Sequence, residues 1–244
     1  MSHERDGDSG AADGGALLKM TPRRWILGGA LPCLWLCACG RGPALPGSPE
    51  YAAQFGVVPE QAVEMQVNGV TFRFPEDQPI DVETSDDKIV KGRADKVYFS
   101  LDLTAALENG GVPLPGRSPH FPGHNEVQVE IGRDGTENPA TDSTPRALPG
   151  FTPRQIGERW GLRQFTDTGG EYYSSAPGVT PKGGPVYLAC HVHPHQCAGG
   201  FEYPQGLFVR YYIDATLLPH WRLVFDSVLN TLKTYTVQRS SDRG

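Results

Sequence analysis

Cysteine and histidine supply most of the reactive side chains of this 244-residue chain, and their spacing separates two regions. The first is Leu36-Cys37-Ala38-Cys39, which closes an apolar run from Trp25 to Ala38 that follows the basic pair Arg23-Arg24. A basic start, a short apolar stretch and a small residue before cysteine form the pattern of an export signal ending in a lipobox. Ala38 fits a signal-peptidase pocket, and the Cys39 thiol then accepts a diacylglycerol through a thioether before cleavage leaves it as the new N-terminus. Cys37 is the poorer acceptor, because Trp35 and Leu36 would occupy the two positions before the cut. A spanning helix needs roughly 20 apolar residues, whereas this run is shorter and is broken by Gly28, Gly29 and Pro32. Arg23-Arg24 followed by Trp25-Ile26 fits a twin-arginine signal, although an ordinary export signal also has a basic start, and Met20 offers an alternative start. Gly40 brings no charge that would retain a lipoprotein at the inner membrane. The expectation is a lipid-anchored envelope protein at the outer membrane, facing the periplasm.

Cleavage before Cys39 sorts the five cysteines. Cys33 and Cys37 leave with the signal, Cys39 carries lipid, and Cys190 and Cys197 remain as thiols in an oxidising compartment, where they should form a disulfide. The loop they close is short, which places its stabilisation at the low end of the usual ~2 to 4 kcal/mol. Between them, in CHVHPHQC, stand His191, His193 and His195. Imidazoles two residues apart on an extended strand share a side, and three of them could coordinate zinc or copper. Against this, Pro194 interrupts a regular strand and oxidised cysteines are not ligands, so a disulfide-closed loop with surface histidines is the competing expectation. His120 and His124 flank a Pro-Gly turn near Glu126, which reads as an exposed turn. Ser85 and Lys88 match a serine-x-x-lysine spacing without its companion motifs, and the sequence contains no nucleophile elbow, zinc-protease helix, phosphate loop or calcium loop. No catalytic activity is expected, and no cofactor beyond the lipid.

Removal of residues 1–38 leaves 206 residues, enough for a single substantial core. The removed part holds four acids and four bases, so the net charge of −6 is kept, and an acidic chain is a poor partner for nucleic acid. With 22 prolines and 30 glycines, short elements joined by many turns are expected.

These elements must position whatever the side chains do. Residues 39–60 are rich in proline and glycine and read as a tether, with one periplasmic domain over 61–244. Val63, Met65 and Val67 alternate, Asn68-Gly69 turns the chain, and Val70, Phe72 and Phe74 alternate back, which is a β-hairpin. Residues Asp77 to Lys96 read as a loop, Val97 to Leu103 and Val127 to Ile131 as strands, and 134–152 as a long loop. Pro153 to Arg159 reads as a short helix before Trp160 to Phe165. Val186 to Cys190 and Leu207 to Ile213 read as strands. Tyr172-Tyr173, Tyr203 and Tyr211-Tyr212 would serve either strand packing or an interface. Leu218, Trp221, Phe225, Val228, Leu229 and Leu232 have helical spacing, with Thr216 as cap and Pro219 in the first turn. The fold class is α+β: an antiparallel sheet of hairpins against a C-terminal amphipathic helix, with two related strand-rich halves as a variant.

The C-terminal order of strand, cysteine, polar loop, cysteine, aromatic strand and a helix opening Leu218-x-x-Trp221 resembles envelope lipoproteins encoded beside type VI secretion effectors, lipase-immunity proteins among them. The opening hairpin VNGVTFRFP, Val67 to Pro75, and the strand VYFSLDL are similar too. The resemblance implies a protein that binds and neutralises a periplasmic effector without catalysis, and it names no contact residues. A metal-binding lipoprotein using the three histidines and a structural envelope lipoprotein are the alternatives.

Overall fold

Asn68 and Gly69 both take positive φ, 46° and 85°, the combination that closes a two-residue hairpin with the twist its strands require. They join β1 (Val63–Val67) to β2 (Val70–Phe74) in the register Val67 opposite Val70 and Val63 opposite Phe74. The computed structural model describes residues 44–85, 88–114, 125–133, 154–167, 170–193 and 195–238, with the backbone alone at 167, 170 and 191–193. Alternation along both hairpin strands buries Val63, Met65 and Val67 from one and Val70, Phe72 and Phe74 from the other. After the hairpin come β3 (Ile80–Glu83) and β4 (Arg93–Ala94), and β4 lies parallel to β1 to complete a three-stranded sheet.

The remaining strands build one antiparallel sheet. They are β5 (Lys96–Asp102), β6 (Glu126–Arg133), β7 (Arg154–Arg159), β8 (Leu162–Asp167), β9 (Gly170–Ser174), β10 (Tyr187–His193), β11 (Gln196–Tyr203) and β12 (Leu207–Asp214). With β3 they give, among the described residues, nine strands in the order β3-β5-β6-β12-β11-β10-β9-β8-β7. The helices are α1 (Pro49–Gln54), α2 (Thr104–Asn109) and α3 (Trp221–Tyr235). The fold is α+β with two sheets and a C-terminal helix. No described helix is long and apolar enough to cross a membrane.

Aromatic rings seal α3 and β2 onto the inner face of the large sheet. Phe74 of β2 meets Phe99 of β5 at 5.7 Å and Tyr235 of α3 at 5.3 Å, and Phe201 of β11 meets Phe225 of α3 edge-on at 5.0 Å. The helical spacing read from the sequence buries Trp221, Val224, Phe225, Val228, Leu229 and Leu232. The approach to α3 differs in detail. Ala215–His220 is a tighter 3-10 turn that contains Pro219, and its cap is Asp214, whose carboxylate accepts from the Thr216 N–H at 2.8 Å.

Four sequence expectations change. Part of the 39–60 tether is folded: Ser48 caps α1 by accepting from the Tyr51 N–H at 3.1 Å, and Tyr51, Ala52 and Phe55 are buried in the core. Apolar residues at this spacing find a sheet to cover, and burial outweighs the surrounding proline and glycine. Residues Asp77 to Lys96 include β3 and β4 and are not loop throughout. The helix expected over Pro153 to Arg159 is β7, because Trp160 and Gly161 take φ of 55° and 73° and turn the chain into β8. The strands on either side of the 134–152 segment do not form separate halves, since β12 pairs with β6 on one side and β11 on the other and joins them in the nine-stranded sheet, beside the three-stranded sheet of β2, β1 and β4. The long loop expected over 134–152 lies outside the described residues.

Candidate interaction surface

The pairing register assigns every strand residue to one of two faces. Phe99, Val129, Tyr211, Gly199, Leu188, Tyr173 and Gln164 lie in one row across the inner face. On the outer face, one row runs Ser100, Gln128, Tyr212, Ala198, Ala189, Tyr172 and Phe165. The next runs Asp81, Tyr98, Glu130, Arg210, Gly200, Tyr187, Ser174 and Arg163. The tyrosine pairs of the sequence therefore split. Tyr173, Tyr211 and Tyr203 are buried, the last against Phe72, whereas Tyr172 and Tyr212 stand on the outer face and are half-buried.

Five half-buried aromatic side chains, Tyr98, Phe165, Tyr172, Tyr187 and Tyr212, thus share the outer face. Between them the floor is made of small residues, Ala189, Ala198 and Gly200. A Cβ on Gly200 would stand 2.7 Å from Phe208, so this ring lies across the glycine and fills that part of the floor.

Charges join the aromatics at the β5–β6–β12 end. The Arg210 guanidinium donates to both oxygens of Glu130 at 3.3 and 3.1 Å, and Lys96 stands 3.6 Å from Glu130 and 3.8 Å from Glu83. The Tyr98 hydroxyl donates to Glu83 at 2.5 Å. Burial first, then this hydrogen bond and the negative charge of Glu130, push the Tyr98 phenol up. Beside these groups opens a groove of about 630 Å³, lined by Tyr98, Tyr212, Glu130, Glu83, Asp81 and residues of β3, with Pro46 and Gly47 at its rim. The arrangement offers hydrogen-bond donors, carboxylates and ring faces on a rigid sheet, which is chemistry of recognition.

Cys190 and Cys197 form the expected disulfide, with Cα atoms 4.3 Å apart across the β10–β11 hairpin. Ala189 opposite Ala198 sets that pairing, and the register shifts just beyond it. His191 and His193 fall on β10, but their side chains lie outside the described residues, and His195 is exposed at the turn. Among the described residues no group of three or more histidine, cysteine, aspartate or glutamate side chains is arranged to hold a metal ion. Arg23, Arg24 and Cys39 of the export signal and His120 and His124 also lie outside the described residues, while Glu126 is exposed at the start of β6. Ser85 serves structure: its N–H and hydroxyl both donate to Asp95, at 2.7 and 2.8 Å. Burial raises the Asp95 carboxyl, but the bonds from Ser85 and Thr84 and the charge of Arg93 outweigh it and hold the group below its ordinary range.

The outer face was not singled out from the sequence as a site. Its signal was the doubled tyrosines, since adjacent strand residues must face opposite ways and one of each pair had to point outward.

No protein-family model and no curated protein sequence matches the chain. Among solved structures it is similar to an immunity protein of the Stenotrophomonas maltophilia type IV secretion system, at 10% sequence identity and a TM-score of 0.44, over 73% of this chain and 94% of that one.

Proposed function

We propose that this chain is a lipid-anchored binding module of the bacterial envelope, an immunity protein that captures a toxic effector delivered by type VI secretion. The observation that carries the reading is the outer sheet face, where Tyr98, Phe165, Tyr172, Tyr187 and Tyr212 remain half-buried around a floor of small residues. Tyrosine supplies large contact area with few rotatable bonds, so such a face binds another protein at a low ordering cost. The export signal and lipobox would hold this face in the periplasm through Cys39, where an incoming effector first meets the cell. The Cys190–Cys197 bond suits the same compartment.

Co-expression with a periplasm-directed toxin encoded beside the gene tests the reading. Protection is expected, with loss of at least tenfold in survival when Tyr172 and Tyr212 are both replaced by alanine, and with release from the membrane fraction in Cys39→Ala. Full protection by the double tyrosine variant, at equal protein level, would remove the outer face from the function.

A further inference from the structure

β3 is the end of the nine-stranded sheet and has β5 as its only strand neighbour among the described residues. Two grooves meet along it. The first, of about 630 Å³, lies on the outer face, and its charged lining consists of Asp81, Glu83 and Glu130 beside the rings of Tyr98 and Tyr212. The second, of about 430 Å³, shares Gly47, Pro79, Ile80 and Asp81 with the first; it is floored by Val57, Val58 and Val63 and edged by Glu60, Glu76 and Asp77. Among the described residues neither groove is lined by lysine or arginine, although Lys96 and Arg210 pair with Glu130 and Lys96 also stands 3.8 Å from Glu83, so the carboxylates outnumber the cations and the excess lies at Asp81. Asp81 is exposed and makes no ion pair among the described residues, and Val58 is 42% exposed.

A strand edge offers backbone N–H and C=O groups to another extended chain, whose side chains then alternate to either side. Here one side is anionic and aromatic, the other apolar with an acidic rim. We infer that this edge receives an extended basic segment of a partner protein in which arginine or lysine alternates with aliphatic residues. The cations enter the groove between Tyr98, Tyr212, Glu83 and Asp81, where carboxylates and ring faces both attract them. The aliphatic residues cover Val58 and Val63. This deepens the binding-module reading, on which it rests, by stating the chemistry of the partner. The two tyrosines tie the edge to the outer face, so one partner would cover both.

The test titrates the purified full chain, in detergent, with a fluorescently tagged Arg-Val-Arg-Val-Arg-Val-Arg peptide by anisotropy at low and raised salt. Saturable binding is expected, weakened at least tenfold in Asp81→Asn/Glu83→Gln, by methylation of alternate peptide nitrogens, and by exchange of each arginine for glutamate. Circular dichroism of the variant controls for its fold. Equal binding of the N-methylated peptide would overturn strand pairing, and equal binding by Asp81→Asn/Glu83→Gln would overturn the groove. A toxin complex that keeps its full affinity in that variant likewise overturns the groove and leaves the immunity reading standing. Peptide binding as described, together with no protection from the toxin, upholds the groove and removes that reading.

Discussion

Gly199 of β11 lies directly beneath the ring of Tyr211 on β12: a Cβ at position 199 would stand 2.2 Å from the tyrosine Cζ. Backbone and ring are in contact with no room for a methyl group. Gly199→Ala should therefore destabilise the protein by about 2 kcal/mol or more, through a shifted ring or strand. Tyr211→Leu introduced with it should recover part of the loss, giving a coupling above about 0.5 kcal/mol in a double-mutant cycle measured by urea unfolding. Additive effects would show that the two residues do not share this space.

Tyr211 supports a second prediction of opposite sign. Its hydroxyl is fully buried and has no hydrogen-bond partner among the described residues, and burial pushes the phenol up. Tyr211→Phe deletes a polar atom whose desolvation is uncompensated, and should be neutral or stabilising by about 1 kcal/mol. A lower urea midpoint in this variant would reveal a partner for the hydroxyl.

Alkaline pH should destabilise the protein from the pH at which ordinary tyrosines begin to titrate. Burial, then the hydrogen bond to Glu171 and its charge, push Tyr173 up to about 12 from 10.0, and Tyr98, Tyr211 and Tyr235 are raised as well. Each folded-state value exceeds the unfolded one. The stabilising difference is therefore complete below pH 10 and is lost as pH climbs from about 10 towards 12, because the unfolded chain releases protons that the fold retains. Thermal midpoints should fall across that window, and tyrosinate absorbance should rise together with unfolding. Tyr173→Phe should flatten the slope.

Glu130 holds the charge cluster of the outer face. Its carboxylate receives Arg210, and the two side chains are only 12% and 14% exposed, whereas Lys96 is 42% exposed. Glu130→Gln should cost about 1 to 2 kcal/mol by leaving the Arg210 guanidinium without its carboxylate. Lys96→Met should change stability by less than about 0.5 kcal/mol, as exposed ion pairs do. Urea midpoints of the two variants separate these cases.

The disulfide closes a hairpin already held by strand pairing. With a sequence separation of 7 between its cysteines, the loop-entropy estimate for replacing both by serine is about 2.5 kcal/mol. For a domain of this size that is a drop of roughly 5 to 10 °C in the thermal midpoint. An equal midpoint for oxidised protein and the double-serine variant would assign all of the stability to the strands.

Where local chemistry dictates geometry, the sequence was readable. Asn68-Gly69 could hardly do anything but turn a hairpin, the 3.6-residue stripe of α3 had to be buried, and two remaining thiols had to meet. Where packing overrides local preference, it was not. Gln196–Tyr203 contains Ala-Gly-Gly, poor strand formers read alone, yet Gly199 and Gly200 are the residues that leave space for Tyr211 and Phe208 on opposite faces of the sheet. Trp160 is no ordinary turn residue, but its carbonyl accepts from Trp221 Nε1 at 2.9 Å and its ring packs against Tyr173, so tertiary contacts hold it at positive φ. The outer face was hidden for a related reason: which tyrosine of each pair points outward depends on register, and register is settled only between strands distant in sequence.

The central position of β12 imposes an order on synthesis. Until Leu207–Asp214 exists, β6 and β11 each keep a bare edge in the middle of what will become the sheet, and the first and second groups of strands have nothing to join them. The ribosome must therefore deliver the chain through Asp214 before the large sheet can close. The keystone of the large sheet is thus the strand made last, and β6 and β11 wait on it for their final neighbour.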